Sequence, residues 1–90
     1  MKVLLIVPSY NEEENVLSNY KKIIDYNKKN NTDYGVIIVN DGSKDRTEEI
    51  CKENNIPYIS LIRNLGIGGA VQTGYKYAYE NGYDIAVQFD

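Results

Sequence analysis

Residues 3–12 read Val3-Leu4-Leu5-Ile6-Val7-Pro8-Ser9-Tyr10-Asn11-Glu12, and the first five of them decide the fold class. A continuous apolar run, partly β-branched and closed by a proline, is the pattern of a strand covered on both faces. It recurs at Val36-Ile37-Ile38-Val39, at Tyr58-Ile59-Ser60-Leu61-Ile62 and from Ile85 to Phe89. Between these runs the period changes to that of a helix. Asn11 and Glu14 have capping-box spacing, and Val16, Tyr20, Ile23, Ile24 and Asn27 share one face. With Glu12 to Glu14 at its start and Lys28 and Lys29 at its end, this segment suits the helix dipole and predicts a helix from about Glu12 to Lys29. Asp45 with Glu48 caps a second helix that runs to about Asn54, buries Ile50 and Cys51, and stops before Pro57. Gly66 to Gly69 reads as a flexible loop, and Ala70, Val71, Gly74, Tyr75 and Ala78 as the inward stripe of a third helix ended by Asn81-Gly82.

Strands and helices that alternate in this way imply an α/β fold of the βαβαβαβ type, a Rossmann-like parallel sheet with helices on both faces and right-handed crossovers. With the first strand central, the strand order is 3-2-1-4. The topological switch then lies between strands one and four, where ligands bind at the carboxyl ends of strands. The 90 residues are enough for one domain-sized unit with a modest core.

Ten basic against thirteen acidic residues give a net charge of −3 with no basic block, which argues against nucleic acid or an anionic membrane surface as partner. Histidine is absent and Cys51 is the single cysteine. A Cys/His zinc site, a disulfide within the chain and any Ser-His or Cys-His catalytic pair are thereby excluded. Acid-base chemistry falls to carboxylates. The Val3–Val7 run is too short for a signal-peptide core or a membrane span, so a cytoplasmic setting is expected, at the inner face of a membrane for a longer parent protein.

All four strands end in polar groups: Ser9-Tyr10-Asn11-Glu12, Asp41-Gly42-Ser43, Arg63-Asn64 and Asp90. A parallel sheet gathers these ends on one edge and so predicts a single cleft lined by an aromatic ring, several carboxylates and an arginine. Taken singly, each has a plainer explanation. Asn11, Glu12 and Glu14 suit a helix start, Tyr10 can cover the sheet edge, Asp41-Gly42 is a common turn, and Ser43 and Asp45 compete for one cap position. Arg63, directly after an apolar strand, calls for an anion, whether a neighbouring Asp or a phosphate. The glycine segment Gly66-Ile67-Gly68-Gly69-Ala70 is neither the dinucleotide fingerprint, since it follows the third strand with different spacing, nor a P-loop, since no Gly-Lys-Ser/Thr follows.

Four segments together carry a resemblance: Val7 to Glu12, Val39-Asn40-Asp41-Gly42-Ser43-Lys44-Asp45-Arg46-Thr47, Arg63 to Ala70, and Ile85 to Asp90. In order and spacing they resemble the nucleotide-sugar-binding N-terminal part of the family 2 glycosyltransferases, which have the GT-A fold. The texture of the glycine segment is most similar to the branch that includes dolichol-phosphate mannosyltransferase. The resemblance implies transfer of a sugar from a nucleoside diphosphate sugar, UDP- or GDP-linked, to an acceptor such as a polyprenyl phosphate or a polysaccharide. It also implies that Pro8, Tyr10 and Glu12 wall the nucleoside, that Asp41 accepts from base or ribose, and that Arg63 lies near the nucleotide. Asp90 resembles the first aspartate of the Asp-x-Asp motif that holds Mg2+ or Mn2+ against the diphosphate. On this reading residues 1–90 are a single subdomain cut at that motif, with the catalytic base elsewhere and the piece alone inactive. The alternative is a non-catalytic nucleotide-binding or self-association module, a homo-oligomer formed through the exposed apolar edge of the fourth strand.

Overall fold

The computed structural model describes residues 1–89. Its elements are β1 (Val3–Ser9), α1 (Val16–Asn30), β2 (Gly35–Asn40), α2 (Thr47–Glu53), β3 (Tyr58–Ser60), α3 (Gly66–Glu80) and β4 (Ile85–Gln88). The sheet has the expected order, β3-β2-β1-β4, and every pairing is parallel. β1 sits between two neighbours and its residues alternate between two cores. Leu5 and Val7 meet Val16, Ile23, Val36, Ile38, Cys51 and Ile56 beneath α1 and α2. Leu4 and Ile6 meet Ile37, Val39, Ala70 and Ala78 beneath α3. Helices thus cover both faces, which is why β1 is apolar from Val3 to Val7 and β2 from Val36 to Val39.

Several boundaries depart from the sequence expectation. Pro8 does not end β1, which continues through it to Ser9, opposite Asn40. Ile6 O accepts from Phe89 N, so Pro8, two residues on, turns its nitrogen to that same side, where pairing with β4 stops at Gln88. The missing N–H therefore removes no ladder bond. β3 is shorter than expected, Tyr58–Ser60: after Leu61 N donates to Asn40 O the chain leaves the sheet and Ile62 is fully exposed. In α3 the segment Gly66 to Gly69 is the first helical turn rather than a loop. Tyr75 of the expected inward stripe is exposed, because Gly74 takes the position facing the sheet and Tyr77 packs against the core instead. Ile50 is half-buried, while Cys51 is buried and held as a thiol by burial, its pKa pushed up to about 11. It is a packing residue.

Gly74 marks the tightest approach of α3 to the sheet. A Cβ built there would stand 2.4 Å from Ile6 Cγ2 and 2.9 Å from Ile6 Cδ1. Ile6 is fully buried on the central strand and has a stiff β-branched side chain, so it has no room to retreat. Gly74→Ala is expected to lose about 1–3 kcal/mol by overpacking, despite the roughly 1 kcal/mol that alanine gains over glycine in a helix. Gly68→Ala, where nothing lies within 4 Å, is expected to be neutral or slightly stabilising. Urea unfolding of the two variants checks the contrast; equal midpoints would mean that α3 does not sit this close to β1.

Candidate functional site

The loops after β1, β2 and β3 lie together at the carboxyl edge of the sheet. Asp41 links them. Its carboxylate, in a residue only 4% exposed, accepts the Leu65 N–H through Oδ1 at 2.7 Å, and its backbone N–H donates to Ser9 O at 2.8 Å. Asn64 Nδ2 donates to Asp41 O at 3.3 Å. Next to it Gly42 has φ +70°, and a Cβ there would lie 2.5 Å from Arg63 C and Asn64 N. Only glycine lets the backbone of residues 63 and 64 pass this close.

The loop between β1 and α1 is held from the side. Asn11 has φ 51°, which breaks the expected helix start: the capping box with Glu14 does not form, and α1 begins only at Val16. Instead the three consecutive backbone N–H groups of residues 11–13 donate to two side chains of the loop before α2 and one at the first position of α2. Asn11 N donates to Ser43 Oγ at 2.9 Å, Glu12 N to Thr47 Oγ1 at 3.0 Å, and Glu13 N to Asp45 Oδ2 at 3.1 Å. Lys44 N returns one bond to Asn11 Oδ1 at 2.9 Å. Thr47 is fully buried and its hydroxyl donates in turn to Asp45 Oδ1. Asp45 Oδ1 also accepts Thr47 N, but the N-cap of α2 is Arg46, which makes no side-chain cap bond, so neither the expected Asp45–Glu48 box nor Ser43 caps the helix. The sequence placed Thr47 at the end of a resembling segment but assigned it no role. The polar residue at a helix start with an acidic residue two positions before it was the signal available.

A cavity of about 190 Å³ opens between these loops, lined by Pro8, Ser9, Tyr10, Glu12, Asp41 and Ile67. Four of the sequence candidates, Pro8, Tyr10, Glu12 and Asp41, thus meet in one place. Ile67, on the first turn of α3, joins them and had not been singled out. Arg63 is not part of this lining; its backbone packs over Gly42, and among the described residues its side chain forms no salt bridge. Asp90 lies outside the described residues. The cavity is smaller than the ~300 Å³ at which pockets for whole ligands begin, a size that suits one ring-sized portion of a larger ligand. Chemically it offers an aromatic ring, a nearly buried carboxylate and a second carboxylate at the rim. Among the described residues Asp41 Oδ2 accepts no hydrogen bond, which leaves one acceptor for a hydroxyl or ring N–H. No group of three or more acidic, His or Cys side chains that could hold a metal occurs among the described residues.

Against known proteins, the model of "Glycosyl transferase family 2" matches residues 4–86. The chain belongs to glycosyl transferase family 2. It is 40% identical to a UDP-N-acetylglucosamine–dolichyl-phosphate N-acetylglucosaminyltransferase of Methanococcus voltae, with 98% of this chain and 40% of that relative covered. It is 37% identical to a dolichyl-phosphate beta-glucosyltransferase of Trichomonas vaginalis, over 84% of this chain and 26% of the relative. With the dolichyl-phosphate beta-glucosyltransferase of Homo sapiens it shares 35% identity, over 78% of this chain and 25% of the relative. The chain therefore spans between a quarter and two fifths of the length of these relatives. No helix among the described residues is long and apolar enough to cross a membrane.

The loop clamp carries its own pH signature. Burial works to raise the Asp45 pKa, but the hydrogen bonds from the Thr47 hydroxyl, the Thr47 amide and the Glu13 amide outweigh it and hold the carboxyl below its ordinary value. A depressed carboxyl contributes stability that is complete above the unfolded-state pKa, about 4, and is lost as pH falls through the lower folded value. Acid titration followed by amide NMR is expected to move the Glu13 and Thr47 N–H signals together, with a midpoint below 3.8. In Asp45→Asn both signals are expected to stay flat; a midpoint at or above the ordinary aspartate value would contradict the arrangement.

Proposed function

We propose that this chain is the donor-nucleotide part of a glycosyltransferase, which binds a nucleoside diphosphate sugar, UDP- or GDP-linked, at the carboxyl edge of its sheet. The observation that carries this reading is the nearly buried Asp41 carboxylate, one oxygen fixed by Leu65 N–H and the other without a partner among the described residues, in a cavity beside the Tyr10 ring and Glu12. A carboxylate oxygen that a buried residue leaves open to the cavity can accept from hydroxyl and N–H donors, and the ring offers an apolar face for a base or ribose. Family membership and the names of the dolichyl-phosphate relatives support sugar transfer to a polyprenyl phosphate in the longer protein.

A divalent cation, Mg2+ or Mn2+, belongs to this proposal. Such ions take carboxylate and phosphate oxygens, and when bound they neutralise the diphosphate leaving group. Of the described residues, Glu12 and Asp41 line the cavity but form no three-ligand set, so the ion would be held chiefly by Asp90 and the diphosphate itself. The described residues supply the nucleoside end: Pro8, Tyr10 and Ile67 as walls, Asp41 and Glu12 as acceptors, with Arg63 toward the phosphates from the adjacent loop.

Calorimetry with UDP and with GDP tests the site. Asp41→Asn keeps an acceptor for Leu65 N–H and is expected to fold, yet to bind the preferred nucleotide about tenfold or more weakly, because a charge-assisted bond becomes a neutral one. Asp41→Ala is expected to cost about 1–3 kcal/mol of stability as well, since Leu65 N–H is left unpaired. Affinities unchanged in Asp41→Asn would remove Asp41 from the site.

A second reading, self-association, is favoured by one feature. β4 stands at the end of the sheet order, and Ile85, Val87 and Phe89 are 41%, 45% and 38% exposed. An apolar edge of this kind recruits further protein surface. Light scattering is expected to show concentration-dependent oligomers that Val87→Lys diminishes; a monomer across the concentration range would rule this out.

A further inference from the structure

Three side chains that do not line the cavity, Ser43 and Asp45 of the loop before α2 and Thr47 at its first position, accept hydrogen bonds from the backbone of residues 11–13. The first residues of the chain after a strand normally find acceptors in a helix cap or in water. Here they do not. Asn11 is left-handed, which turns the N–H groups of residues 11, 12 and 13 away from α1 and toward the neighbouring loop. Ser43, Thr47 and Asp45 accept them in turn, and Thr47 is locked by donating its own proton to Asp45. The two residues at the cavity, Tyr10 and Glu12, flank Asn11, so their position depends on this set of bonds.

We propose that Thr47, supported by Asp45 and Ser43, is a positioning residue for nucleotide binding: its hydroxyl fixes the Glu12 backbone and thereby the Tyr10–Glu12 wall of the cavity at the distance from Asp41 that the ligand requires. This rests on the nucleotide reading of the cavity given above. Thr47 fits the task because it is fully buried at the first position of α2, on a helix rather than in the loop it holds. Its bond at 3.0 Å is part-buried, with the accepting Thr47 itself out of contact with solvent, so losing it leaves a buried hydroxyl short of a partner. Asp45 fixes the direction of the hydroxyl proton, which leaves a lone pair aimed at Glu12 N.

The test uses the full 90-residue chain, UDP and GDP as probes, and a temperature well below unfolding. Thr47→Val keeps the shape and removes the hydroxyl; Thr47→Ser keeps the hydroxyl and removes a methyl. If the hydroxyl positions the wall, Thr47→Val binds the nucleotide about tenfold more weakly while Thr47→Ser, although less stable, binds within about twofold of wild type. Should Thr47→Val fail to fold, Ser43→Ala decides, since its site is a turn: a loss of about threefold or more is expected there. Wild-type affinity in folded Thr47→Val, or in Ser43→Ala when it alone folds, would overturn the positioning role. An equal loss in Val and Ser variants would also overturn it, because methyl packing would then be the cause. Failure of the wild-type chain to bind either nucleotide would overturn the nucleotide reading and this proposal with it.

Discussion

The Asp41 carboxylate accepts Leu65 N–H at 2.7 Å while the Asp41 backbone N–H donates to Ser9 O at 2.8 Å, so a single residue holds the loops after β1, β2 and β3 in one relation. The bond is between a charged acceptor on a buried residue and a main-chain donor, and it is part-buried, which makes it stronger than a neutral bond and costly to lose. Much else at this edge follows from it. Residues 63–65 must pass directly over position 42, which requires glycine there. The chain then enters α3 at Gly66 without an intervening loop, and the first turn of that helix brings Ile67 to the cavity.

The β core beneath is built so that this edge can be polar. Leu4, Ile6 and Val39 are completely buried, and α1 with α2 on one face and α3 on the other leave the sheet with apolar neighbours on both sides. Each such side chain contributes about 1.5–3 kcal/mol relative to exposure, so stability resides in the strands. The loops are free to carry a nearly buried carboxylate and a positive-φ asparagine because rigid strands place their ends. Chemistry at the ends of parallel strands is the common solution for ligand binding in α/β folds.

The two-sided covering was legible because Val3–Val7 and Val36–Val39 are apolar throughout, whereas the strand order followed only from placing the first strand at the centre. The gathering of Pro8, Tyr10, Glu12 and Asp41 was legible because parallel strands leave their carboxyl ends on one edge. Local hydrogen bonding was not. Asn11 and Glu14 carry a sound capping box, yet side chains from residues 43–47 outcompete it, and nothing near position 11 in the sequence announces acceptors more than thirty positions away. Thr47 escaped notice because a buried threonine and an ordinary helix-start threonine look alike in one sequence. The extent of β3 was misjudged because Leu61 and Ile62 are apolar although the chain has already turned away to close the site.

The proposed nucleoside site is the cavity between the three loops. Titration of the labelled chain with UDP and with GDP in the presence of magnesium, followed by amide NMR, tests it most directly. The signals of residues 9–12, Asp41 and residues 65–67 are expected to move with one affinity while the apolar groove of Leu5, Ile23, Tyr26 and Phe89 on the α1 side stays unchanged. Shifts confined to that groove, or no shifts with either nucleotide, would contradict it.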